Sequence, residues 1–142
     1  MVKPEVMHVS LLFLGEVNPE LIINRLTSVS FKQFTATVEG VAFFPNDKRP
    51  RVIYSPVIKG FEEFKSLHDL IIKALGLKPE RFTPHATLAR VKSIIDLKKL
   101  VSVSRCQVFK ESFKVDHFNL YSSRLTPNGP VHAVLQSFNN NV

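Results

Sequence analysis

The sequence predicts an α+β domain in which most strands pair antiparallel, and three observations carry that reading. Apolar spacing switches repeatedly along the chain between the two-residue period of a strand and the 3.6-residue period of a helix. Two extended runs near the C-terminus flank Thr126-Pro-Asn-Gly-Pro130, a strong turn signal that makes them a hairpin. No Gly/Ser-rich linker or low-complexity tract divides the 142 residues, a length that suits a single domain, residues 1–142. A chain of this size buries roughly 68–70% of its unfolded surface, enough for a core without staples.

Each element follows from local chemistry. His8-Val-Ser-Leu-Leu-Phe-Leu14 is a short apolar strand closed by Gly15. Asn18-Pro19 supplies an N-cap and a first-turn proline for a helix running to about Val29, with Leu21, Ile22, Leu26 and Val29 on one stripe. Phe34 to Phe43 alternates well enough for a strand, Pro45-Asn-Asp-Lys-Arg-Pro50 is a loop, and Arg51 to Val57 is the strand that pairs back. A second helix spans about Glu62 to Leu75, its stripe made by Phe64, Leu67, Ile71, Ala74 and Leu75, with Gly76 as C-cap. The loop Lys78 to Pro84 leads into a strand from His85 to Val91, and Ile94 to Val103 reads as a short helix. Ser112 to Ser123 and Val131 to Phe138 are the hairpin strands.

Composition excludes several classes. At 44% hydrophobic and 22% charged residues the chain is an ordinary globular mix, not a disordered tail. Cys106, the single cysteine, forms no intrachain disulfide, which argues against an oxidised secreted miniprotein. Met1-Val-Lys-Pro-Glu has no apolar signal region and no apolar run reaches the ~18 residues of a membrane span, so no membrane association is expected and the cytoplasm is the default location. Nineteen Lys and Arg against twelve Asp and Glu leave +7, a balance that favours polyanionic partners: nucleic acid, nucleotide or acidic lipid.

The chemistry lies in a repeated pattern. His8-Val-Ser-Leu and His85-Ala-Thr-Leu both read His-x-(Ser/Thr)-Leu, and each opens a predicted strand. Residues i and i+2 of a strand share a face, so each motif aims an imidazole and a hydroxyl the same way. On adjacent strands the four side chains converge. Two histidines suit a phosphodiester reaction, which needs a base for the nucleophile and an acid for the leaving oxygen. Ser10 and Thr87 supply donors to the non-bridging oxygens. Arg90 is the candidate for a charge-assisted contact with phosphate. Its offset of five from His85 puts it on the opposite face of an ideal strand, so a bulge or strand end is needed to bring it in. One such triplet alone more often marks a structural histidine. A metal centre is the other bland reading, but neither motif carries Asp, Glu or Cys at ligand spacing, so no metal or other cofactor is expected.

His8-Val-Ser-Leu-Leu-Phe-Leu-Gly-Glu16, Val41-Ala-Phe-Phe-Pro45, Arg51-Val-Ile-Tyr54, Pro84-His-Ala-Thr-Leu-Ala-Arg90 and Leu120-Tyr-Ser-Ser-Arg-Leu-Thr-Pro-Asn-Gly-Pro130 form an ordered set whose spacing spans nearly the whole chain. In these stretches the sequence resembles the two-histidine phosphoesterase superfamily and, within it, the RNA 2′,3′-cyclic phosphodiesterases, also called 2′-5′ RNA ligases. The resemblance implies a bilobal fold of two βαβ-like halves with mostly antiparallel sheets around a cleft. It implies metal-independent hydrolysis of RNA 2′,3′-cyclic phosphate ends to 2′-phosphates, with weak, reversible 2′-5′ ligation beside it. It makes His8 the proton donor and His85 the acceptor. Two departures accompany it: Ser10 stands where the family has Thr, and the family's first strand and helix have no counterpart ahead of His8, so the fold is expected to lack them.

Rival readings are a catalytically idle RNA-binding module and a cyclic phosphodiesterase of small nucleotides; the partner is accordingly RNA with a cyclic phosphate end or a small cyclic nucleotide. Of the remaining residues, Phe43 and Phe44 read as core rather than a base-stacking platform, His68 as a surface or packing residue, and Cys106 as a small buried apolar group. Lys48, Arg49 and Arg51 read as a solvated charge cluster that has a second use as a contact to an RNA backbone. His117 and His132 fall in the hairpin, where His132 is a candidate for a substrate contact without further support.

Overall fold

A computed structural model of the chain describes residues 8–46, 48–90 and 109–139, with the side chains of Ala89, Arg90 and Pro130 left aside. The expected helix over Ile94 to Val103, Cys106 and the end of the fourth predicted strand at Val91 lie outside the described residues.

Helix α1 (Pro19–Leu26) starts as expected: the Asn18 side chain accepts from the Glu20 N–H at 3.0 Å, and Pro19 occupies the first turn. It stops three residues short of Val29, because Thr27 and Ser28 turn their hydroxyls back onto the Asn24 and Arg25 carbonyls at 2.7 and 2.9 Å, competing with the helical ladder. The predicted strand from Phe34 is two strands, β1 (Phe34–Glu39) and β2 (Ala42–Phe44), interrupted at Gly40, whose φ of 83° is the left-handed region that turns the chain. Strand β3 (Val52–Lys59) pairs back antiparallel on both, with Phe43 opposite Ile53 and Val38 opposite Val57.

Helix α2 (Phe61–Leu75) buries Phe64, Leu67, Ile71 and Leu75 on one stripe and ends at Gly76 (φ 68°), where the Leu77 N–H returns to the Ile72 carbonyl at 3.0 Å. The Arg25 guanidinium donates to the last carbonyl of α2, Leu75, at 3.1 Å, tying the two helices together where the helix dipole favours a cation. Strand β4 (His85–Arg90) covers the free edge of β3, and β5 (Lys110–Val115) runs antiparallel along β1. The five strands form one sheet with one edge of β3 taken by β2 and β1 and the other by β4.

The expected continuous strand from Ser112 to Ser123 is broken at Asp116. Beyond it, β6 (His117–Thr126) leaves the sheet and, among the described residues, pairs with β7 (Gly129–Asn139), in the predicted hairpin around Pro127-Asn128. Phe118 and Phe138 stack at 5.0 Å at the base of this hairpin and Phe118 meets Phe31 at 5.9 Å, so the hairpin joins the core that Leu26, Val38 and Leu67 share. The α+β class and the antiparallel pairing are as expected.

One expected strand is absent. Of His8 to Leu14 only Val9 pairs, through an isolated antiparallel bridge to Ala86. Pro84 turns its carbonyl to β3, where it accepts from the Val57 N–H at 3.4 Å. The segment is held instead by side chains, with Val9, Leu11, Leu12 and Leu14 packed partly buried against the core.

Candidate active site

The site grows from the parity of β3 and β4. On β3, Ile53, Ser55 and Val57 are buried against the helices, so Val52, Tyr54 and Pro56 fall on the open face of the sheet. Tyr54 stands opposite Thr87 and Pro56 opposite His85, which puts both members of the second motif on that open face while Ala86 is buried beneath them. The Val9–Ala86 bridge delivers the first motif to the other edge of β4. Carried one residue either way, its antiparallel register faces His8 with Thr87 and Ser10 with His85. The open face thus reads in rows across the strands: Ala42, Tyr54, Thr87 and His8 in one, then Pro56, His85 and Ser10 in the next.

Arg90 follows from an irregularity in the same ladder. Ile53 pairs with Ala89 and Tyr54 with Thr87, so Leu88 is an extra residue, a bulge that shifts parity by one. In the backbone register Arg90 stands opposite Val52.

His85 is oriented by the chain just before it. Its Nδ1 lies 2.9 Å from the Thr83 carbonyl, which can only accept, so Nδ1 carries the proton and the neutral ring keeps its lone pair on Nε2. The Tyr54 ring meets the imidazole edge-on, with centroids 5.1 Å apart and planes at 62°. Ser10, Tyr54, His85 and Thr87 are half-buried and His8 is exposed, so the face is open to a ligand. Among the described residues no three His, Cys, Asp or Glu side chains converge as a metal site requires.

One expectation about a single residue needs correction. Phe44 is 63% exposed and is no part of the core: opposite Val52 on the three-residue strand β2, it points to the open face, while Phe43, opposite Ile53, is the half-buried one. Of the two readings for His68 the packing one holds: it is buried at 2% exposure on the inner side of α2. The Lys48, Arg49 and Arg51 cluster is exposed, its loop folded by the Asn46 side chain accepting from the Lys48 and Arg49 N–H groups, both at 2.9 Å. His132 pairs across the hairpin with the Ser123 hydroxyl at 2.7 Å. His117 donates from Nδ1 to Asp116 at 2.7 Å, and that hydrogen bond holds the Asp116 carboxyl below its usual range. Tyr54 and the Thr83 carbonyl escape a reading of the sequence alone; the alternation of β3 carries a signal for Tyr54, but only the register with β4 sets it against His85.

These features define a class. The chain belongs to the 2′-5′ RNA ligase superfamily, whose family model matches residues 2–126. Among individual relatives it is 35% identical to the RNA 2′,3′-cyclic phosphodiesterase of Aeropyrum pernix, over 94% of this chain and 82% of that protein. It is 34% identical to the protein of the same name from Methanocaldococcus jannaschii, over 97% and 83%. A crystal structure of TT0787 of Thermus thermophilus superposes with a TM-score of 0.74 at 29% identity, covering 97% of this chain and 80% of that one. Escherichia coli LigT, crystallised with 3′-AMP, shares the fold with a TM-score of 0.76 at 20% identity, over 99% and 80%. No helix among the described residues is long and apolar enough to cross a membrane.

Proposed function

We propose that this chain hydrolyses RNA 2′,3′-cyclic phosphate ends to 2′-phosphates, with His85 as general base and His8 as general acid. The Aeropyrum pernix and Methanocaldococcus jannaschii relatives that bear the name RNA 2′,3′-cyclic phosphodiesterase match it along more than four fifths of their length, and the chain is accordingly a phosphodiesterase hydrolase. The observation that carries the mechanism is the antiparallel bridge between Val9 and Ala86, because it sets the two His-x-(Ser/Thr) pairs side by side on one open face.

In the reaction, His85 Nε2 takes a proton from water as the water oxygen bonds to phosphorus. The bond from phosphorus to the 3′ oxygen breaks, and protonated His8 gives that oxygen its proton, leaving the phosphate on the 2′ oxygen. The Nδ1–H bond to Thr83 fits His85 to the accepting role, since it leaves the lone pair on the outer nitrogen. Ser10 and Thr87 donate to the non-bridging oxygens, and Arg90, placed by register alone, adds charge at the far end of the row. An RNA 5′-hydroxyl in place of water gives a 2′-5′ linkage by the same steps, as a minor activity. Exposed Phe44, in the row of Val52, offers its ring to a base of the RNA.

The test is a product assay. The protein is incubated in EDTA with a 2′,3′-cyclic nucleotide and with an oligomer ending in a cyclic phosphate, and the phosphate isomer is identified. An oligomer that ends in a 2′-phosphate supports the reading. A 3′-phosphate, or turnover of the mononucleotide alone, overturns it in mechanism or in substrate, and no turnover of either leaves an RNA-binding module.

A further inference from the structure

We propose that His68, a residue remote from the substrate face, is a positioning residue that holds His85 in its accepting tautomer; the proposal rests on the reading of His85 as the base. An imidazole buried on α2 among Phe64, Leu67 and Ile71 is unfavourable compared with an aliphatic side chain unless its nitrogens and faces are used. They are used on one loop. His68 Nε2 lies 3.3 Å from the Glu80 carboxylate, and the His68 ring stacks on Phe82 at 4.3 Å with planes 7° apart. Its other nitrogen faces Asp69, at 3.8 Å, too far for a good hydrogen bond.

Phe82 adjoins Thr83, the residue whose carbonyl accepts from His85 Nδ1. The loop between α2 and β4 has no regular ladder, so its shape depends on anchors. Leu77 holds its start through the Ile72 carbonyl, and Pro84, fully buried, holds its end through Val57. His68 supplies the middle anchor, at Glu80 and at Phe82 directly before the residue whose carbonyl fixes His85. Without it the Thr83 carbonyl is free to rotate away from Nδ1. A neutral imidazole relieved of that acceptor moves its proton to Nε2 in a share of molecules, and those molecules have no lone pair to take a proton from water. The phosphate donors Ser10 and Thr87 are untouched, so the loss falls on turnover rather than on binding.

The experiment compares the full-length chain with His68→Ala, His68→Phe and Glu80→Ala, using an RNA oligomer with a 2′,3′-cyclic phosphate end. Long-range ¹H–¹⁵N correlation spectra of the imidazoles are recorded alongside, the His85 signals being identified by their loss in His85→Ala. His68→Ala is expected to lower kcat roughly 10–100-fold with KM nearly unchanged, the worth of a small misplacement of a catalytic group. The His85 pattern changes with it from Nδ1–H to a mixture of tautomers. His68→Phe, which keeps the ring on Phe82, restores most of both, and Glu80→Ala gives a smaller loss of the same kind. A His68→Ala protein whose His85 keeps the Nδ1–H pattern overturns the proposal, whatever its kcat. If His68→Ala does not fold, Glu80→Ala carries the same test at the exposed end of the contact, and an unchanged kcat and tautomer there overturn the proposal equally. Failure of the underlying function reads differently: a wild-type chain inert on cyclic ends, or an active His85→Ala, removes the reaction while the tautomer comparison still judges the loop.

Discussion

Val9 stands opposite Ala86 in a single antiparallel bridge, and the spacing of the whole site depends on that pair. Ala86 is buried and Val9 half-buried, both towards the core, so the residues flanking each emerge on the other side of the sheet. Two short motifs separated by most of the chain thereby contribute four polar side chains to one patch. The first motif is held by this bridge and by the packing of Leu11, Leu12 and Leu14.

The first prediction concerns the four motif residues. His8→Ala and His85→Ala each lower kcat roughly 10²–10⁴-fold, the usual worth of one acid or base. Ser10→Ala and Thr87→Ala, each removing one donor to the phosphate, cost less, about 10–10³-fold. Steady-state kinetics on a cyclic-phosphate oligomer rank them. Hydroxyl variants more crippled than both histidine variants would reverse the roles.

A second prediction separates binding from chemistry on the same face. Phe44→Ala raises KM for an oligomer with little change in kcat, since a base stacked on an aromatic ring is worth about 1–3 kcal/mol. The thermal midpoint stays put, because the ring is exposed. Tyr54→Leu removes the edge-on partner of His85 and so lowers kcat. Equal effects of both substitutions on KM alone would place Tyr54 with Phe44 as a binding residue.

The buried face of β3 supplies a third. Ser55 is 0% exposed, and among the described residues its hydroxyl has no hydrogen-bond partner. An orphaned polar group costs about 1–3 kcal/mol, so Ser55→Ala is neutral to stabilising by up to about that amount. Gly60→Ala goes the other way. Gly60 has φ of 86°, and a Cβ there would lie 3.1 Å from the Thr35 carbonyl oxygen and 3.2 Å from Ala36 Cα. A left-handed non-glycine residue costs roughly 1–2 kcal/mol before any clash is counted. Urea midpoints of the two variants, moving in opposite directions, are the check.

How far the sequence is legible depends on the range of the physics involved. Helix α2 with its Gly76 cap and the hairpin turn at Pro127-Asn128 are local, and both stand where spacing and turn chemistry put them. The four motif residues are legible because the two-residue period of a strand is local as well. What the sequence hides is pairing. The Leu88 bulge that moves Arg90 by one register position, and the opposition of Tyr54 to Thr87, exist only between β3 and β4. The first motif reads as a full strand because its side chains are apolar, yet beyond the bridge at Val9 those side chains pack on the core without a ladder. His68 reads as ordinary because neither Glu80 nor Phe82 has any regular helical spacing to it; the loop returns them to its ring.

The last prediction concerns pH and metal. One imidazole must be neutral to accept a proton while the other is protonated to give one, so kcat/KM follows a bell whose two limbs belong to the pair. The fall towards low pH is the protonation of the base and the fall towards high pH is the loss of the acid's proton. With His85 as base and His8 as acid, the residual activity of His85→Ala loses the acid-side limb and that of His8→Ala the alkaline one. Above the alkaline limb the wild type also binds phosphate less tightly, because the imidazolium carries part of the charge that faces the anion. EDTA leaves the rate unchanged throughout, since neither motif brings a carboxylate or thiolate ligand. Limbs that vanish in the opposite order exchange the two roles but keep the reaction. A single limb in the wild type leaves only one histidine moving protons. A rate that collapses in EDTA and returns with zinc or manganese replaces the acid–base mechanism with metal-assisted hydrolysis.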